Sequence, residues 1–466
     1  MPAIMTPSLR KRSNRQLPAD PRRLAMMVLN IIEKEKRPLD GILEDLYSRS
    51  ALSNPDQKLF HALVYGVLRH RGFLDHVIRS FSKIAVNKIT PEILNILRIG
   101  LYQTIYMNKI PVSAAVNTSV EMAKSMAPPW IIGYVNAILR KAVQGWNAVP
   151  LPEPKDLIPY LSITESFPEW LIARWVKEMG ADETEKLCKS INTIPAIVVR
   201  TNTLKTDVDS LEKALLQFAE QVRPCEWSSI GIRFFNPRRP IDRIPFFIDG
   251  WFQVQDEAAQ LVTELLNPKP GERILDACAG QGGKTGHIAQ NMKNLGSITA
   301  VDTSTERLSQ LTGEMTRLGV HNVKTIPADL EIPMGSEFRE AFDRILLDAP
   351  CSGLGVLRRN PEAKWRIRQS DLMRNQARQL RMLDNLCHCV KPSGVLVYAV
   401  CSREPEENEE VVNHFLARHD NFAIRRNHPE FSGRKGILIS SKGYLNTSPS
   451  LHGMDGFFGV CFERMT

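Results

Sequence analysis

Nothing in this 466-residue chain approaches the run of about 18 apolar residues that a membrane-crossing helix needs. The basic start of the chain, Arg10, Lys11, Arg12 and Arg15, is not followed by the apolar segment of a secretory signal. A cytoplasmic protein with no membrane partner is expected. Cysteine is scarce as well: Cys188, Cys225, Cys278, Cys351, Cys387, Cys389, Cys401 and Cys461 show no paired spacing of a secreted disulfide framework, so free thiols are expected. Cys387-His-Cys389 has no second ligand pair nearby, which favours packing over a metal site. Internal repeats and low-complexity segments are absent.

Acid is what the first third lacks. Residues 1–150 hold 21 Lys and Arg against 10 Asp and Glu, a balance of +11; the whole chain is +9, so the other 316 residues sum to −2. Positive charge concentrated in this way points to a phosphate-bearing partner such as nucleic acid.

Length alone implies several domains. A basic tail over residues 1–17 leads into a helical domain at 18–145, where Asp20-Pro21, Asn54-Pro55 and Thr90-Pro91 read as helix starts. Apolar residues then recur at helical spacing: Leu24, Val28 and Ile31; Leu59, Leu63 and Val67; Ile93, Leu97 and Leu101. Prolines at 150, 152 and 154 mark a linker over 146–164. Helical stretches alternating with short runs such as Ile197-Val-Val-Arg200 predict a small α/β subdomain over 165–245. From 246 to 466 strands and helices alternate as in a doubly wound, Rossmann-like sheet.

Two strands of that last domain end in thiols. Arg344-Ile-Leu-Leu347 runs into Asp348-Ala-Pro-Cys-Ser-Gly353, and Gly394-Val-Leu-Val-Tyr-Ala-Val400 runs into Cys401-Ser402. Open α/β sheets bind ligands at such strand ends, so Cys351 and Cys401 are expected to face one cleft. A glycine-rich turn, Cys278-Ala-Gly-Gln-Gly-Gly-Lys284, follows the strand Arg273-Ile-Leu-Asp-Ala277, and Asp302 and Asp329 follow the next strands. This pattern suits a nucleoside-containing ligand. The dinucleotide fingerprint and the upstream glycine of a phosphate-binding loop are both missing, which leaves S-adenosylmethionine as the better expectation.

With that donor, thiols acquire a purpose. Carbon 5 of a pyrimidine is a poor nucleophile until a thiolate adds to carbon 6, and an acid such as Asp348 near the ring favours the addition. A second thiol is a plausible agent for removing the C5 proton. Arg403 and the start of a helix within Glu404–Glu410 would favour a thiolate at Cys401, and the acids there read as ordinary first-turn residues. The basic tract Arg358, Arg359, Lys364, Arg366, Arg368, Arg374, Arg378 and Arg381, with Trp365 among it, is expected to contact phosphate. Which thiol attacks stays open on these grounds.

Asp348-Ala-Pro-Cys-Ser-Gly353, Val400-Cys-Ser402, Gly250-Trp-Phe-Gln-Val-Gln-Asp-Glu-Ala258 and His452-Gly-Met-Asp-Gly-Phe-Phe458 resemble the motifs of the RNA cytosine-5 methyltransferases. With Gly133-Tyr-Val-Asn-Ala-Ile-Leu-Arg140 in a NusB-like helical domain, residues 18–466 resemble the bacterial Sun (RsmB) family. The resemblance implies an all-α NusB-like RNA-binding domain and a Rossmann-like S-adenosylmethionine-dependent methyltransferase domain, with 16S rRNA as substrate and no metal. By the family pattern Cys401 is the nucleophile, Cys351 assists product release, and Cys278, Ala279, Gly280, Gln281, Gly282, Gly283, Lys284, Asp302, Asp329 and Asp348 hold the cofactor. The chain departs from the pattern at Gly280-Gln281, where Ala-Pro is usual, and at Val400, where Thr is usual. A monomer is expected. Two rivals remain at this level: DNA cytosine methylation through Cys351, and an RNA-binding assembly factor without activity.

Overall fold

Proline at the first turn of a helix loses no hydrogen bond, and four described helices of the amino-terminal unit start this way. The computed structural model describes residues 18–35, 37–47 and 52–466; the basic tail expected over 1–17 lies outside the described residues. Helices α1 (Pro21–Glu35), α2 (Leu39–Tyr47), α3 (Asn54–Phe81), α4 (Pro91–Tyr106), α5 (Val112–Lys124) and α6 (Pro129–Gly145) bury their apolar faces in one core. Asp20 caps α1 by accepting from Arg22 N at 3.0 Å. In α3 the cap is Ser53, one residue before the expected Asn54, and Thr90 makes no side-chain cap. Close approach of α3 and α4 needs Gly66, since a Cβ there would sit 1.9 Å from the Tyr102 ring. Arg98, 1% exposed, is held by Asp75 at 2.7 and 2.8 Å and by Glu33 at 2.5 Å, so its buried charge is compensated.

The proline-rich stretch expected as a linker belongs to this unit, which spans Met1–Ser166. Leu161 then buries itself in helix α7 (Leu157–Thr164), which packs on α3.

A second unit spans Phe167–Thr466. Its first sheet is antiparallel, in the order β2-β3-β1-β4, from β1 (Ile197–Thr201), β2 (Gln221–Pro224), β3 (Gly231–Phe235) and β4 (Phe252–Val254). Beyond the expected end of the subdomain at 245, β4 adds to this sheet by pairing with β1, a contact invisible to local pattern.

The large sheet runs β10-β12-β9-β8-β5-β6-β7, with β11 beside β12. Its strands are β5 (Arg273–Ala277), β6 (Ser297–Asp302), β7 (Val323–Pro327), β8 (Phe342–Asp348), β9 (Val390–Val400), β10 (Phe422–Ile424), β11 (Tyr444–Asn446) and β12 (Phe458–Arg464). Strands β5 to β9 pair in parallel, while β10, β11 and β12 pair antiparallel. Both faces are covered. Ile274, Leu346, Val397 and Ala399 face one core and Leu275, Leu347, Leu396 and Tyr398 the other, which explains the continuous apolar runs in the sequence. The chain leaves β5 toward β6 and β7, then crosses to β8 on the opposite side, so the crevice at the carboxyl ends of β5 and β8 is the switch point where such sheets bind ligands. Among the described residues no helix is long and apolar enough to cross a membrane, and no group of three or more His, Cys, Asp or Glu could hold a metal ion.

Candidate active site

Parallel pairing of β8 and β9 in the register Asp348 to Ala399 carries Cys351 and Cys401 to the same end of the sheet. Their Sγ atoms are 3.3 Å apart. Ala349 N donates to Ala399 O at 2.9 Å, Gly355 N to Cys401 O at 3.0 Å, and Gly456 N to Gly355 O at 2.8 Å, so three chain segments meet beneath the thiols. Only glycine fits at 355: a Cβ would lie 1.9 Å from Gly456 O.

The two sulfurs are not equivalent. The hydrogen bond to Cys401 raises the Cys351 thiol well above its ordinary value, followed by burial and the charges of Cys401 and Glu407. A proton is thus held on Cys351 while it faces Cys401. Burial also pushes Cys387 and Cys461 up to about 12 and Cys389 to about 11, which leaves them as neutral packing residues.

Lys284 lies inside this cluster and donates to Asp348 Oδ2 at 2.6 Å. Burial works against its charge, but Asp348 outweighs that and the pKa is raised, with Cys401 contributing in the same direction. Arg403, expected to favour a thiolate at Cys401, donates to Ser448 Oγ at 2.6 Å. The helix of the acidic segment begins at Glu409, after a single 3-10 turn, and Glu404 and Glu407 are buried rather than exposed first-turn acids. Glu407 accepts from Ser352 N at 2.7 Å, Ser352 Oγ at 2.5 Å and Asn375 Nδ2 at 2.8 Å, fixing the residue next to Cys351.

The glycine-rich turn adopts left-handed backbone at Cys278 (φ 63°), Gly280 (φ 56°) and Gly282 (φ 87°) before the helix Gly283–Asn291. Nothing lies within 4 Å of a Cβ built at Gly280 or Gly283, so the backbone there is open to a ligand. Asp302 accepts from Gly280 N at 3.0 Å through Oδ2 and from Ser304 N at 2.8 Å through Oδ1, which leaves lone pairs on both oxygens for ligand hydroxyls. A cavity of about 240 Å³ opens here, walled by Cys278, Asp302, Asp348 and the apolar Ala328, Leu330 and Met382. Carboxylates for a ribose and a cationic donor, together with apolar walls for a purine ring, fit S-adenosylmethionine.

Of the expected cofactor residues, Cys278, Asp302 and Asp348 line that cavity, and Ala279, Gly280, Gln281, Gly282, Gly283, Lys284 and Asp329 are not among its wall residues. Asp329 is exposed, with Oδ1 accepting from Glu331 N at 3.0 Å, and it sits between two wall residues rather than in the wall. Gln281 points to Gln310, with Nε2 to Oε1 at 2.9 Å. Wall residues that the sequence reading missed are Thr303, Arg307, Ala328, Leu330 and Met382, and all but Met382 follow the carboxyl ends of β6 and β7. That position was the available signal.

The basic tract is largely committed within the protein. Arg359 bridges Asp256 and Asp455, each at 2.7 Å, tying together the Gly250–Ala258 and His452–Phe458 signatures. Lys364, fully buried, lies 3.7 Å from the Phe167 ring centroid and donates to Asn192 Oδ1 at 2.7 Å. Arg378 and Arg381 pair with Glu331 at 2.7 and 2.5 Å, and Arg374 with Asp371 at 3.0 Å. Phosphate contact is thus withdrawn for Arg359 and Lys364, whose charges are spent on buried partners.

Comparison with known proteins follows the same division of the chain. The family model of 16S rRNA methyltransferase RsmB/F matches residues 263–463, the NusB family model residues 19–144, and the RsmF/B-like methyltransferase ferredoxin-like domain residues 167–241. The chain is 36% identical over 445 residues to a probable ribosomal RNA small subunit methyltransferase B of Synechocystis sp., a match covering 94% of this chain and 98% of that protein. It is 32% identical over 448 residues to the probable methyltransferase B of Bacillus subtilis, covering 95% and 98%. Among solved structures it is similar to PH0851, with TM-score 0.79, 27% identity and coverage of 97% of this chain and 100% of that one. A methyltransferase homolog protein from Pyrococcus horikoshii aligns with TM-score 0.55 and 28% identity, covering 65% and 97%.

Proposed function

The chain belongs to the RsmB/F family of 16S rRNA methyltransferases, and from that premise we propose that it methylates carbon 5 of a cytosine in 16S rRNA through a transient bond between Cys401 Sγ and carbon 6. It is an S-adenosylmethionine-dependent rRNA methyltransferase. The observation that carries the finer reading is the 3.3 Å pair of thiols at the sheet end that also carries the partly buried Lys284–Asp348 ion pair.

S-adenosylmethionine supplies an electrophilic methyl group when bound. The chain's residues do the rest. Gly280, Gly283 and Asp302 would hold the donor, and Asp348 presents its carboxylate to the same cavity. Cys401 adds to carbon 6 as the thiolate and pushes the C5–C6 π electrons onto carbon 5. Carbon 5 would then take the methyl carbon as its bond to the donor sulfur breaks and the electron pair returns to that sulfur, leaving a neutral thioether. Asp348 Oδ2 is occupied by Lys284, and Oδ1, with no hydrogen-bond partner among the described residues, would accept from the ring N3 once that nitrogen takes a proton as the thiolate adds.

Cys351 completes the cycle. Its proton is held chiefly because of Cys401, and that influence ends once the Cys401 sulfur is bonded to carbon. Cys351 can then ionise to solvent and remove the C5 proton; the electrons of that C–H bond re-form the C5–C6 double bond and expel Cys401 as thiolate. The positive balance of the first 150 residues supplies sequence-independent attraction to RNA.

The test is transfer of labelled methyl from S-adenosylmethionine to unmodified 16S rRNA, with bisulfite mapping of the product. Wild type marking one cytosine, with Cys401→Ala inactive, supports the reading. Full activity of Cys401→Ala would remove the nucleophile assignment, and covalent capture of RNA by wild type but not by Cys351→Ala would favour attack by Cys351 instead.

A further inference from the structure

A second cavity, about 410 Å³, begins one residue past Cys401 at Ser402 and is not used by the chemistry above. Its size falls in the roughly 300–1,000 Å³ range of small-ligand sites. Three separate parts of the unit build it: Glu178 from the helix Glu169–Met179, Arg403 and Asn408 from the loop after the nucleophile, and Asn446, His452 and Phe457 from the carboxyl-terminal region. His452 and Phe457 belong to the His452–Phe458 signature, to which the mechanism gives no role.

The polar groups are arranged for recognition. Arg403 forms no ion pair among the described residues, unlike Arg359, Arg378 and Arg381 nearby; its one hydrogen bond runs to the neutral Ser448 Oγ. His452 Nδ1 accepts from Ser448 N at 3.0 Å, which places its proton on Nε2 as a donor. At the mouth stand the exposed Glu178 and Asn446, and Asn408, 6% exposed, has an Oδ1 without a partner. Phe457 adds an apolar wall.

A phosphate is disfavoured here, because Glu178 and Glu409 share the wall with the single cation Arg403. A neutral ring with acceptors on one edge and two donors on another fits better. Building on the proposed rRNA activity, we infer that this cavity binds an unstacked guanine base next to the target cytosine, with O6 and N7 toward Arg403 and with N1–H and the 2-amino group toward Glu178. Bidentate arginine contact is the commonest reading of guanine, and unstacked single-stranded bases are what RNA-specific proteins read. Adenine and the pyrimidines lack that combination of edges.

The test uses a short RNA containing the cytosine mapped above, with each neighbouring nucleotide replaced in turn by an abasic site, and with each neighbouring guanine replaced by inosine. Methyl transfer by wild type, Glu178→Gln and Arg403→Met is compared, with melting temperature and S-adenosylmethionine affinity as controls for folding. At one neighbouring guanine, abasic replacement should lower wild-type kcat/KM by at least about tenfold. Inosine there, lacking the 2-amino group, should cost wild type severalfold and Glu178→Gln nothing further. Effects that multiply independently at every neighbour, or a sensitive position occupied by another base, would overturn the subsite alone. No methyl on any cytosine with wild type would overturn the parent function and this inference with it.

Discussion

Cys351 Sγ and Cys401 Sγ, 50 residues apart in sequence, face each other at 3.3 Å because β8 and β9 are adjacent parallel strands whose carboxyl ends coincide. The pair divides the work: one sulfur attacks and the other is released to act only after attack. Cys401→Ser should lower turnover by at least about a thousandfold, since an alkoxide is far less available than a thiolate. Cys351→Ala should instead accumulate a methylated protein–RNA adduct that survives denaturing electrophoresis. Rapid turnover by Cys351→Ala without adduct would refute the division.

Lys284→Met removes the cation beside Cys401 and strands Asp348. Turnover at neutral pH should fall by about 10 to 100-fold. Stability should drop by about 1–3 kcal/mol, less than for a fully buried pair because Asp348 stays partly solvated. Methyl-transfer rates alongside urea unfolding measure both.

Asp276 sits under the cofactor turn, 1% exposed, with Thr285 Oγ donating to Oδ2 at 2.6 Å and Oδ1 unpaired. Burial raises its pKa from 3.8 to about 7. The folded state therefore keeps a proton that the unfolded chain has lost, and stability falls as pH rises from about 4 to about 7, then levels off. Asp276→Asn should remove that loss, on the order of 4 kcal/mol between the two ends. Unfolding of both proteins at pH 5 and pH 8 checks the sign: the variant's advantage should be larger at pH 8.

Gly355→Ala places a methyl group against Gly456 O and near Cys401 O. Backbone cannot yield as a flexible side chain does, so a cost of about 3 kcal/mol or more is expected, with turnover falling more than S-adenosylmethionine affinity. Calorimetric titration and a melting curve separate the two effects.

In unit one, Arg98→Met leaves Asp75 and Glu33 only the looser ion pairs with Arg71, at 3.8 and 3.5 Å, and should cost roughly 3 kcal/mol. Denaturant unfolding of the whole protein would show it as an earlier transition of the helical unit.

Much of this was written in local pattern. Helical spacing placed α1, α3 and α4, and the apolar runs ending at Asp348 and Val400 placed β8 and β9 together with both thiols, because a strand buried on both faces must be continuously apolar. The turn Cys278–Lys284 was legible because left-handed backbone and an open ligand approach both select glycine.

What the sequence could not determine depends on long-range pairing. Whether β4 belongs to the small sheet or the large one is decided by its hydrogen bonds to β1, some 50 residues earlier. Lys284 beside Cys401, Glu407 beneath Ser352 and Arg403 turned toward Ser448 are each set by where a distant segment folds back. Charge alone made the arginine tract look like an RNA surface, but burial against Asp256, Asp455 and Phe167 took two of its cations out of reach. Residue types and spacing thus determined which chemistry this chain carries, because strands and turns obey local rules. Only the tertiary structure decided which charges meet at the thiols, because electrostatic partners are neighbours in space and not in sequence.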